Sequence, residues 1–320
     1  MSVLIFADQS EGHIRKSTYE ALSYGAKVAE LTGTVAEAIV LGPVLDSLSG
    51  LGKYGITKVH HVPDNGLEHM DARCYTAVIA EAVQQTGADT VIFSNNITGK
   101  AVAPRLSARL KAGLVAGAVS LPDLAGGFSV RRSVFSGKAY ANVSIITPIR
   151  IITLNQNAYG IAESAGTAEV LNMTISSPAS RLTFKSTSKV SGKVPLTEAE
   201  MVISGGRGLK GPEHWGLVED LADLLGAATA CSRAVADAHW RPHHEHVGQT
   251  GLAIAPNLYF AIGISGAIQH LAGVNRSKVI VVVNKDPEAP FFKAADYGIV
   301  GDAFEVMPKV IEAVRRLKAN

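Results

Sequence analysis

The chain has 320 residues, and 47% of them are hydrophobic, which is too high a fraction for an intrinsically disordered protein. Its 30 Lys and Arg residues nearly balance 28 Asp and Glu residues, so the formal net charge of +2 gives no general attraction to nucleic acid or anionic membranes. Cys74 and Cys231 form no CxxC or Cys/His spacing, which argues against a disulfide framework and a structural zinc site. We find no export signal and no apolar run of about 20 residues, and therefore expect a soluble, cytoplasmic protein.

The N-terminal part of the chain alternates between strand-length apolar runs and segments with helical spacing, which predicts a parallel sheet flanked by helices. Predicted strands cover residues 3–8, 35–41, 58–62 and 90–94, and predicted helices cover residues 18–31, 71–86 and 100–111. Gly33 and Gly87 stand where a helix is expected to end. From residue 115 to about residue 188, β-branched and Ser/Thr-rich runs predict mostly antiparallel strands at residues 130–135, 139–146 and 149–154.

A polar segment, KSTSKVSGKVPLTE at residues 185–198, separates two differently patterned halves. It predicts a Rossmann-like N-terminal α/β domain with added antiparallel strands over residues 1–188, and a second domain over residues 189–320. The second half has predicted strands at 201–203, 228–232, 259–264, 279–284 and 297–300, and predicted helices at 213–225, 266–271 and 303–318. This alternation indicates a doubly wound parallel sheet.

The motif GRGLKG at residues 206–211 matches G-x-G-x-x-G and lies between a predicted strand and a predicted helix. It is typical both of a pyrophosphate-binding loop and of an ordinary glycine-rich turn. In an NAD site an acidic residue would follow about 20 positions on, but here the next strand ends in Ser232 and Arg233. Because arginine suits a 2′-phosphate, an NADP-dependent oxidoreductase is one hypothesis.

Two further segments carry short polar groups and glycines at predicted loop positions. VGQTG at residues 247–251 has the composition needed where backbone approaches a flat ligand. In LYFAIGISGAIQHLAG at residues 258–273, a strand ends in small residues, Ser265 precedes a short helix, and Gln269 and His270 lie on its first turns. Polar residues also follow the last strands, at Asn284 and Asp302, which predicts a ligand crevice for an extended molecule.

The second half of the chain resembles the alpha subunit of electron transfer flavoprotein in a series of motifs. These are SGGRGLKG at 204–211, SRAVAD at 232–237, VGQTG, the 258–273 segment, and NKDPEAPFF with ADYGIVGD between 284 and 302. The resemblance covers the whole second half, and is less distinctive in the first half. It implies an electron carrier rather than an enzyme: a flavoprotein subunit that binds FAD in its C-terminal domain. It also implies a heterodimer, in which the N-terminal domain contacts a beta subunit that binds AMP. The carrier would take electrons from acyl-CoA and related dehydrogenases of fatty acid beta-oxidation to a quinone oxidoreductase, through an anionic flavin semiquinone.

The resemblance also implies roles for individual residues. Arg207 and Ser265 would face the pyrophosphate and sugar, and Asn284 and Asp302 the adenosine. Ser232, Arg233, Gln249 and Thr250 would surround the flavin near N5 and O4, with His270 near O2. A guanidinium and an imidazole close to the ring would stabilise its negative charge and raise the potential for the first electron. The full predicted cofactor-binding set is Arg207, Ser232, Arg233, Val247, Gly248, Gln249, Thr250, Gly251, Ser265, Gly266, Ala267, Ile268, Gln269, His270, Asn284, Asp302 and Ala303.

The loop AHWRPHHEH at residues 238–246 departs from the rest of the pattern, with His243, His244 and His246 close together. We interpret it as a solvated loop and predict no metal site, because no Cys or carboxylate pattern accompanies it beyond Glu245. The electron carrier is the preferred hypothesis. An NADP-dependent oxidoreductase using GRGLKG and Arg233, and an adenine-nucleotide-binding scaffold, are the alternatives, and the sequence leaves open whether the carrier is an ordinary or an electron-bifurcating one.

Overall fold

The computed structural model describes residues 1–186 and 195–319. They form two compact units, which we call unit 1 (within residues 1–187) and unit 2 (within residues 188–320). Each unit has its own sheet, its own helices and its own buried core. The predicted α/β fold class is therefore confirmed, while the predicted boundary at residue 188 lies outside the described residues.

Unit 1 is built on a nine-stranded sheet with strand order β11-β5-β4-β1-β6-β10-β7-β8-β9, and a two-stranded β2-β3 ribbon lies beside it. Its strands are β1 (Ser2–Phe6), β2 (Gln9–Ser10), β3 (His13–Ile14), β4 (Val35–Leu41), β5 (Lys58–Val62), β6 (Thr90–Ser94), β7 (Gly113–Ala118), β8 (Ser129–Val134), β9 (Ala139–Ser144), β10 (Arg150–Leu154) and β11 (Glu169–Asn172). The helices are α1 (Lys16–Thr32), α2 (Ala72–Thr86) and α3 (Ile97–Leu110), with 3₁₀ turns at Leu48–Tyr54, Asn65–Leu67 and Phe135–Gly137.

Side chains of β1 alternate between two cores, one on each face of the sheet. Val3 and Ile5 pack with residues of α1 such as Leu22, and Leu4 packs with residues of α2 and α3 such as Val78. This alternation follows from the two-residue period of a strand. Gly33 and Gly87 end α1 and α2 in the left-handed conformation, both with φ of 66°, as predicted.

The prediction of mostly antiparallel strands after residue 115 is correct for β8 and β9 and wrong for β10. Strand β8 pairs antiparallel with β7 and with β9, whereas β10 lies parallel between β6 and β7. Residues 151–154 of β10 are all buried, so the strand has helices or loops over both faces. A fully buried β-branched run is typical of a central parallel strand, and this signal outweighs the composition of the surrounding segment. The sequence analysis also missed β7 and β11.

Unit 2 is a five-stranded parallel sheet with strand order β13-β12-β14-β15-β16. Its strands are β12 (Met201–Gly205), β13 (Ala228–Cys231), β14 (Leu258–Ile262), β15 (Val279–Asn284) and β16 (Tyr297–Val300). The helices are α4 (Gly216–Leu225), α5 (Arg233–Asp237), α6 (Ile268–Val274) and α7 (Ala303–Ala319), with 3₁₀ turns at Arg207–Leu209, Pro212–His214, His243–Glu245 and Pro290–Ala294. Buried residues on both faces make the sheet doubly wound, as predicted.

The chain passes from β12 to β13 on one side of β12, and later returns to β14 on the other side. The direction of winding therefore reverses between β12 and β14. In open α/β sheets, ligands bind outside the carboxyl ends of the strands at such a reversal. The fold itself thus places the best ligand position of unit 2 next to residues 206 and 263.

Both cysteines, Cys74 and Cys231, are free and buried. None of the helices within residues 1–186 and 195–319 is long and apolar enough to cross a membrane.

A charged cluster ties the segment after α5 to the body of unit 2. Arg241 donates from Nε and Nη2 to the two carboxylate oxygens of Glu245, over 2.7 and 2.6 Å, and from Nη1 to Glu219 on α4 over 3.1 Å. Its guanidinium also lies over the ring of Trp215, 5.4 Å from the ring centre. Because the Glu245 side chain is only 7% exposed, its charge depends on this bidentate partner.

We expect Arg241→Ala to destabilise unit 2 by about 3 kcal/mol, because the variant leaves the Glu245 carboxylate buried without a cation. Urea unfolding followed by tryptophan fluorescence measures this, since both tryptophans of the chain, Trp215 and Trp240, lie in unit 2. Arg316→Ala is the matched control: its pair with Glu312 has the same sequence spacing, but both side chains are mostly exposed, so the cost should stay below about 1 kcal/mol. Equal effects of the two variants would contradict the prediction.

Candidate functional site

A cleft of about 650 Å³ opens at the carboxyl edge of the sheet of unit 2. This volume lies within the usual range for cofactor and ligand sites. The walls come from the loops that follow β12, β13, β14 and β15. The lining residues are Arg207, Gly208, Ser232, Arg233, Ala234, His246, Val247, Gly248, Gln249, Thr250, Gly263, Ile264, Ser265, Gly266, Ala267, Gln269, His270, Asn284 and Asp286.

Most of the predicted cofactor-binding residues are brought together by this cleft, although they come from four separate segments of the chain. The VGQTG segment reaches the cleft because it is tied to α6. The amide of Gln249 donates to the carbonyl of Gln269 over 2.7 Å, and a Cβ atom at Gly273 would lie only 2.5 Å from the Gly248 backbone. The loops after β13 and β14 therefore form one continuous wall.

Four predicted residues do not line the cleft: Gly251, Ile268, Asp302 and Ala303. A Cβ atom at Gly251 would lie 2.3 Å from the carbonyl oxygen of His246, so this glycine permits the tight VGQTG turn. Ala303 is the first residue of α7 and is buried in the core of unit 2. Asp302 accepts a hydrogen bond from the amide of Phe304 over 2.9 Å. This hydrogen bond lowers the pKa of the Asp302 carboxyl, and the positive charge of Lys210 lowers it further by a smaller amount.

The GRGLKG loop differs from a dinucleotide-binding fingerprint. No α-helix follows it directly: a 3₁₀ turn comes first, and α4 begins only at Gly216, three residues later than predicted. A Cβ atom at Gly206 would lie 2.2 Å from the carbonyl oxygen of Gly263, and one at Gly208 would lie 2.7 Å from its Cα. The first two glycines of the motif therefore allow two loops to touch through their backbones at the winding reversal.

The loop between β14 and α6 presents a row of backbone donors. Within the described part of the chain, the amides of residues 265–269 donate no hydrogen bond. Neighbouring backbone is well satisfied: the amide of Gly263 donates to Val283, and the amide of His270 to Ala267. Consecutive unpaired amides in a concave wall are suited to an anion such as a phosphate.

Two arginines add positive charge to the cleft wall. Arg207 lies in the loop after β12, and Arg233 begins α5 after β13. The Nε of Arg233 lies 3.2 Å from Asp237, but the two side chains are 66% and 55% exposed, so this pair neutralises the guanidinium only weakly. The wall therefore combines amide donors and cations, a set matched to a ligand that carries or develops negative charge.

His270 is a buried, neutral imidazole in the floor of the cleft. Its Nε2 lies 2.8 Å from the hydroxyl of Tyr259, which is itself fully buried. Burial lowers the pKa of His270 to about 4, with a smaller effect from His246, and burial raises the pKa of the Tyr259 hydroxyl. Because Tyr259 engages Nε2, the other ring nitrogen, Nδ1, is the one left to meet a ligand.

Asn284, at the end of β15, holds the loop after β14 in place through hydrogen bonds of its side chain. Its amide nitrogen donates to the carbonyl of Ile264 over 2.9 Å, and its amide oxygen accepts from the amide of Asp286 over 3.0 Å. One side chain thus links the end of β15 to the loop after β14. Its position at the end of a strand was predicted, while this bracing role was not.

Several cleft residues were missed from the sequence: Gly208, Ala234, His246, Gly263, Ile264 and Asp286. The glycines and Ile264 lie inside the recognised motifs and could have been included on that ground. His246 was assigned to a solvated histidine loop, which is wrong for this residue: His243 and His244 are exposed, but His246 is buried. Among the described residues, no group of His, Cys, Asp and Glu could hold a metal ion.

Comparison with known proteins identifies the family of the chain. Residues 3–178 match the model of the electron transfer flavoprotein domain, and residues 195–275 match the model of the electron transfer flavoprotein FAD-binding domain. The electron transfer flavoprotein subunit alpha of Syntrophomonas wolfei is 38% identical over 316 residues, which cover 98% of each chain. That of Bacillus subtilis is 36% identical over 322 residues, covering 99% of this chain and 98% of the relative. The mitochondrial subunit alpha of Dictyostelium discoideum is 36% identical over 332 residues, covering 98% and 92%. The resemblance seen in the motifs is confirmed, and this chain belongs to the electron transfer flavoprotein alpha-subunit family.

Proposed function

We propose that this chain is the FAD-binding subunit of a heterodimeric electron carrier, which accepts electrons from acyl-CoA-type dehydrogenases and passes them to a quinone oxidoreductase. The observation that carries the proposal is the cleft at the winding reversal of unit 2. It combines backbone amides that have no partner in the described part of the chain, two arginines and a buried neutral histidine within about 650 Å³.

The residues present fit the chemistry of FAD. Its pyrophosphate needs several donors and positive charge, which the amides of residues 265–269 and Arg207 can supply. Its flavin ring needs donors and acceptors along one edge, which Ser232, Gln249 and Thr250 carry. The close backbone contact of Gly208 with Gly263 leaves no room for a side chain at either of these two positions. When bound, FAD would supply the one- and two-electron chemistry that side chains lack.

Arg233 and His270 would govern how readily the bound flavin accepts negative charge. The Arg233 guanidinium is a cation and would stabilise negative charge on a neighbouring ring by Coulombic attraction. His270 carries no charge at neutral pH, because its pKa lies near 4, and so would act through a hydrogen bond from its ring N–H. The two residues therefore stabilise the reduced cofactor by different means.

The remaining predicted contacts stay part of the proposal. Asn284 and Asp302 would lie on the adenosine side, because they follow the strands farthest from β13. Gly251, Ile268 and Ala303 would contribute only by shaping the backbone near the cofactor. The beta subunit would pair with unit 1 and bind AMP, in keeping with the family to which the chain belongs.

The alternative of an NADP-dependent oxidoreductase is less well supported. It would need the GRGLKG loop to hold phosphate at the start of a helix, but the loop leads into a 3₁₀ turn. It would also need a group that acts as acid or base beside the nicotinamide. The only residue proposed for this task, His270, has a pKa of about 4, so it is a weak base and carries no acidic proton as an imidazolium at neutral pH.

The proposal is tested by co-expressing the chain with its beta subunit and recording the visible spectrum of the purified complex. We expect flavin absorption bands and about one FAD released per complex on denaturation. A colourless complex that cannot be reconstituted with FAD, and that binds NADPH instead, would overturn the proposal in favour of the oxidoreductase.

Arg207→Ala is expected to weaken FAD binding by roughly tenfold to a hundredfold, the usual cost of losing a charged hydrogen bond to a phosphate. Equilibrium dialysis of the complex against FAD measures the change. Lys278→Ala is the matched control, since Lys278 is an exposed cation of unit 2 just before β15, at the opposite edge of the sheet. Equal weakening in both variants would mean that only the net charge of unit 2 matters.

Arg233→Ala is expected to lower the potential for the first electron by roughly 60 mV, which corresponds to a tenfold change in the reduction equilibrium. Spectroelectrochemical titration of the FAD-loaded complex measures the potential. Arg233→Lys keeps the positive charge and should retain most of the wild-type value. If the alanine and lysine variants have the same potential, the charge of Arg233 has no part in setting it.

The lowered pKa of His270 also makes the free energy of unfolding of unit 2 depend on pH. The pKa of His270 is about 4 in the folded state and near 6.5 when unfolded, so the unfolded chain binds more protons between these values. The stabilisation from the neutral histidine is therefore present above pH 6.5 and lost as the pH falls through 4. Between pH 7 and pH 4, wild type should lose about 3 kcal/mol more than His270→Gln, measured by urea unfolding with tryptophan fluorescence. The exposed His244→Gln variant should behave as wild type, and identical pH curves for all three proteins would contradict the prediction.

A further inference from the structure

His246 is a second histidine of the cofactor cleft, with surroundings unlike those of His270. It follows the 3₁₀ turn at His243–Glu245 and lies beside the end of β13, where the amide of Val247 donates to the carbonyl of Cys231 over 3.1 Å. Its Nε2 lies close to the VGQTG turn, 3.5 Å from where a Cβ atom of Gly248 would stand. The ring is therefore part of the same wall as Gln249 and Thr250.

Among the described residues the imidazole of His246 has no hydrogen-bond partner, and its ring nitrogens remain accessible from the cleft. The residue is 8% exposed, and within residues 1–186 and 195–319 its ring makes no hydrogen bond or ion pair. By contrast, Nε2 of His270 is engaged by the hydroxyl of Tyr259. A buried polar ring that lines a cleft and lacks a protein partner is suited to a partner that enters the cleft.

Several charged groups near His246 act on the pKa of its imidazole. Arg233 and Asp237 act on it from α5 and His243 acts from the preceding turn, while His246 itself acts on His270 of α6. Burial lowers the pKa of His246, and Arg233 and His243 act in the same direction, while Asp237 opposes them. The thiol of Cys231 on β13 stays neutral, because its pKa is raised to about 12. His246 is thus neutral at pH 7 chiefly because it is buried, and the neighbouring charges add smaller effects of opposite sign.

A negative charge that enters the cleft would change this balance in favour of the imidazolium. A charge close to a buried ring interacts strongly with it, because little water screens the pair. His270 responds less readily, since its pKa is already near 4 and its Nε2 is engaged. Of the two histidines in the cleft, His246 is therefore the one able to take up a proton near neutral pH.

We propose that His246 takes up one proton from solvent when one electron enters the bound flavin, so that the first reduction step depends on pH. The electron comes from an external reductant, and the proton comes from water and forms a new N–H bond on the imidazole, which becomes an imidazolium. The net charge of the cleft is then unchanged by the step. This inference rests on the proposed function, because it requires FAD in the cleft.

The test is the pH dependence of the first reduction potential of the FAD-loaded complex, measured by dithionite titration between about pH 6.5 and pH 8. In wild type, each pH unit should change the reduction equilibrium tenfold, which equals about 59 mV for one electron. The potential should fall as the pH rises, because protons become scarcer. His246→Gln preserves a polar side chain that cannot be protonated, and should reduce this slope by at least half.

Two further variants make the result specific. His244→Gln removes a histidine from the same loop that is exposed and does not line the cleft, and should keep the wild-type slope. His246→Asn serves if the glutamine variant does not fold, as judged by its tryptophan fluorescence and FAD content. An indicator dye in weakly buffered solution gives a second readout: wild type should take up about one proton with the first electron, and the His246 variants clearly less.

The outcomes separate this inference from the proposed function. A pH-dependent potential in wild type and His244→Gln, together with a reduced slope in the His246 variants, supports the role of His246. Equal slopes in all the proteins, or no slope in wild type, overturn it while leaving the FAD-binding function intact. A complex that binds no FAD overturns the proposed function, and this inference with it.

Discussion

The close contact between two loop backbones at the winding reversal of unit 2 is the constraint on which the cleft depends. Gly206 and Gly208 after β12 lie against Gly263 after β14, at distances where a Cβ atom would collide. Because these loops touch through backbone alone, the space above them is left to a ligand and not filled by side chains. Asn284 supports the same place from β15 by its hydrogen bond to Ile264. The amides of residues 265–269, which donate to no described residue, follow from this arrangement, since the chain must turn away from the sheet before α6 begins.

The electrostatic character of the cleft comes from accessible arginines and from histidines that are buried and therefore neutral. The two arginines in the wall are accessible to a ligand, whereas the two histidines are largely removed from water. Desolvation disfavours the charged form of an imidazole, so His246 and His270 are neutral in a cleft that already carries positive charge. Such a site can hold an anionic ligand and still gain charge compensation when a further electron arrives. The two histidines differ because the hydroxyl of Tyr259 engages His270, whereas the ring of His246 makes no hydrogen bond within the described residues.

The rest of unit 2 holds these groups in place. Arg241 connects Glu245, the residue before His246, to α4 and to the face of Trp215. The loop that the sequence suggested to be solvated is therefore anchored at one end by a bidentate ion pair and at the other by the VGQTG turn. A buried side chain at position 246 is the consequence of this anchoring. The packing of this loop thus decides that a histidine is buried in the cleft wall.

Local signals in the sequence were sufficient for the fold class and for most strands and helices, and together with the family resemblance they gave most residues of the cleft. The ends of buried parallel strands are marked by Gly, Ser, Asn and Arg, and the topology of a doubly wound sheet brings such ends to one edge. The direction of β10 and the surroundings of His246 were decided only by the tertiary structure. Strand direction depends on which distant strands pair. Burial of the loop residue depends on the contacts of Arg241 with Glu219 and Trp215 and of Val247 with Cys231, and these partners are distant in sequence. The sequence by itself determined what the cleft is made of, and the packing of the chain decided which of its groups are charged.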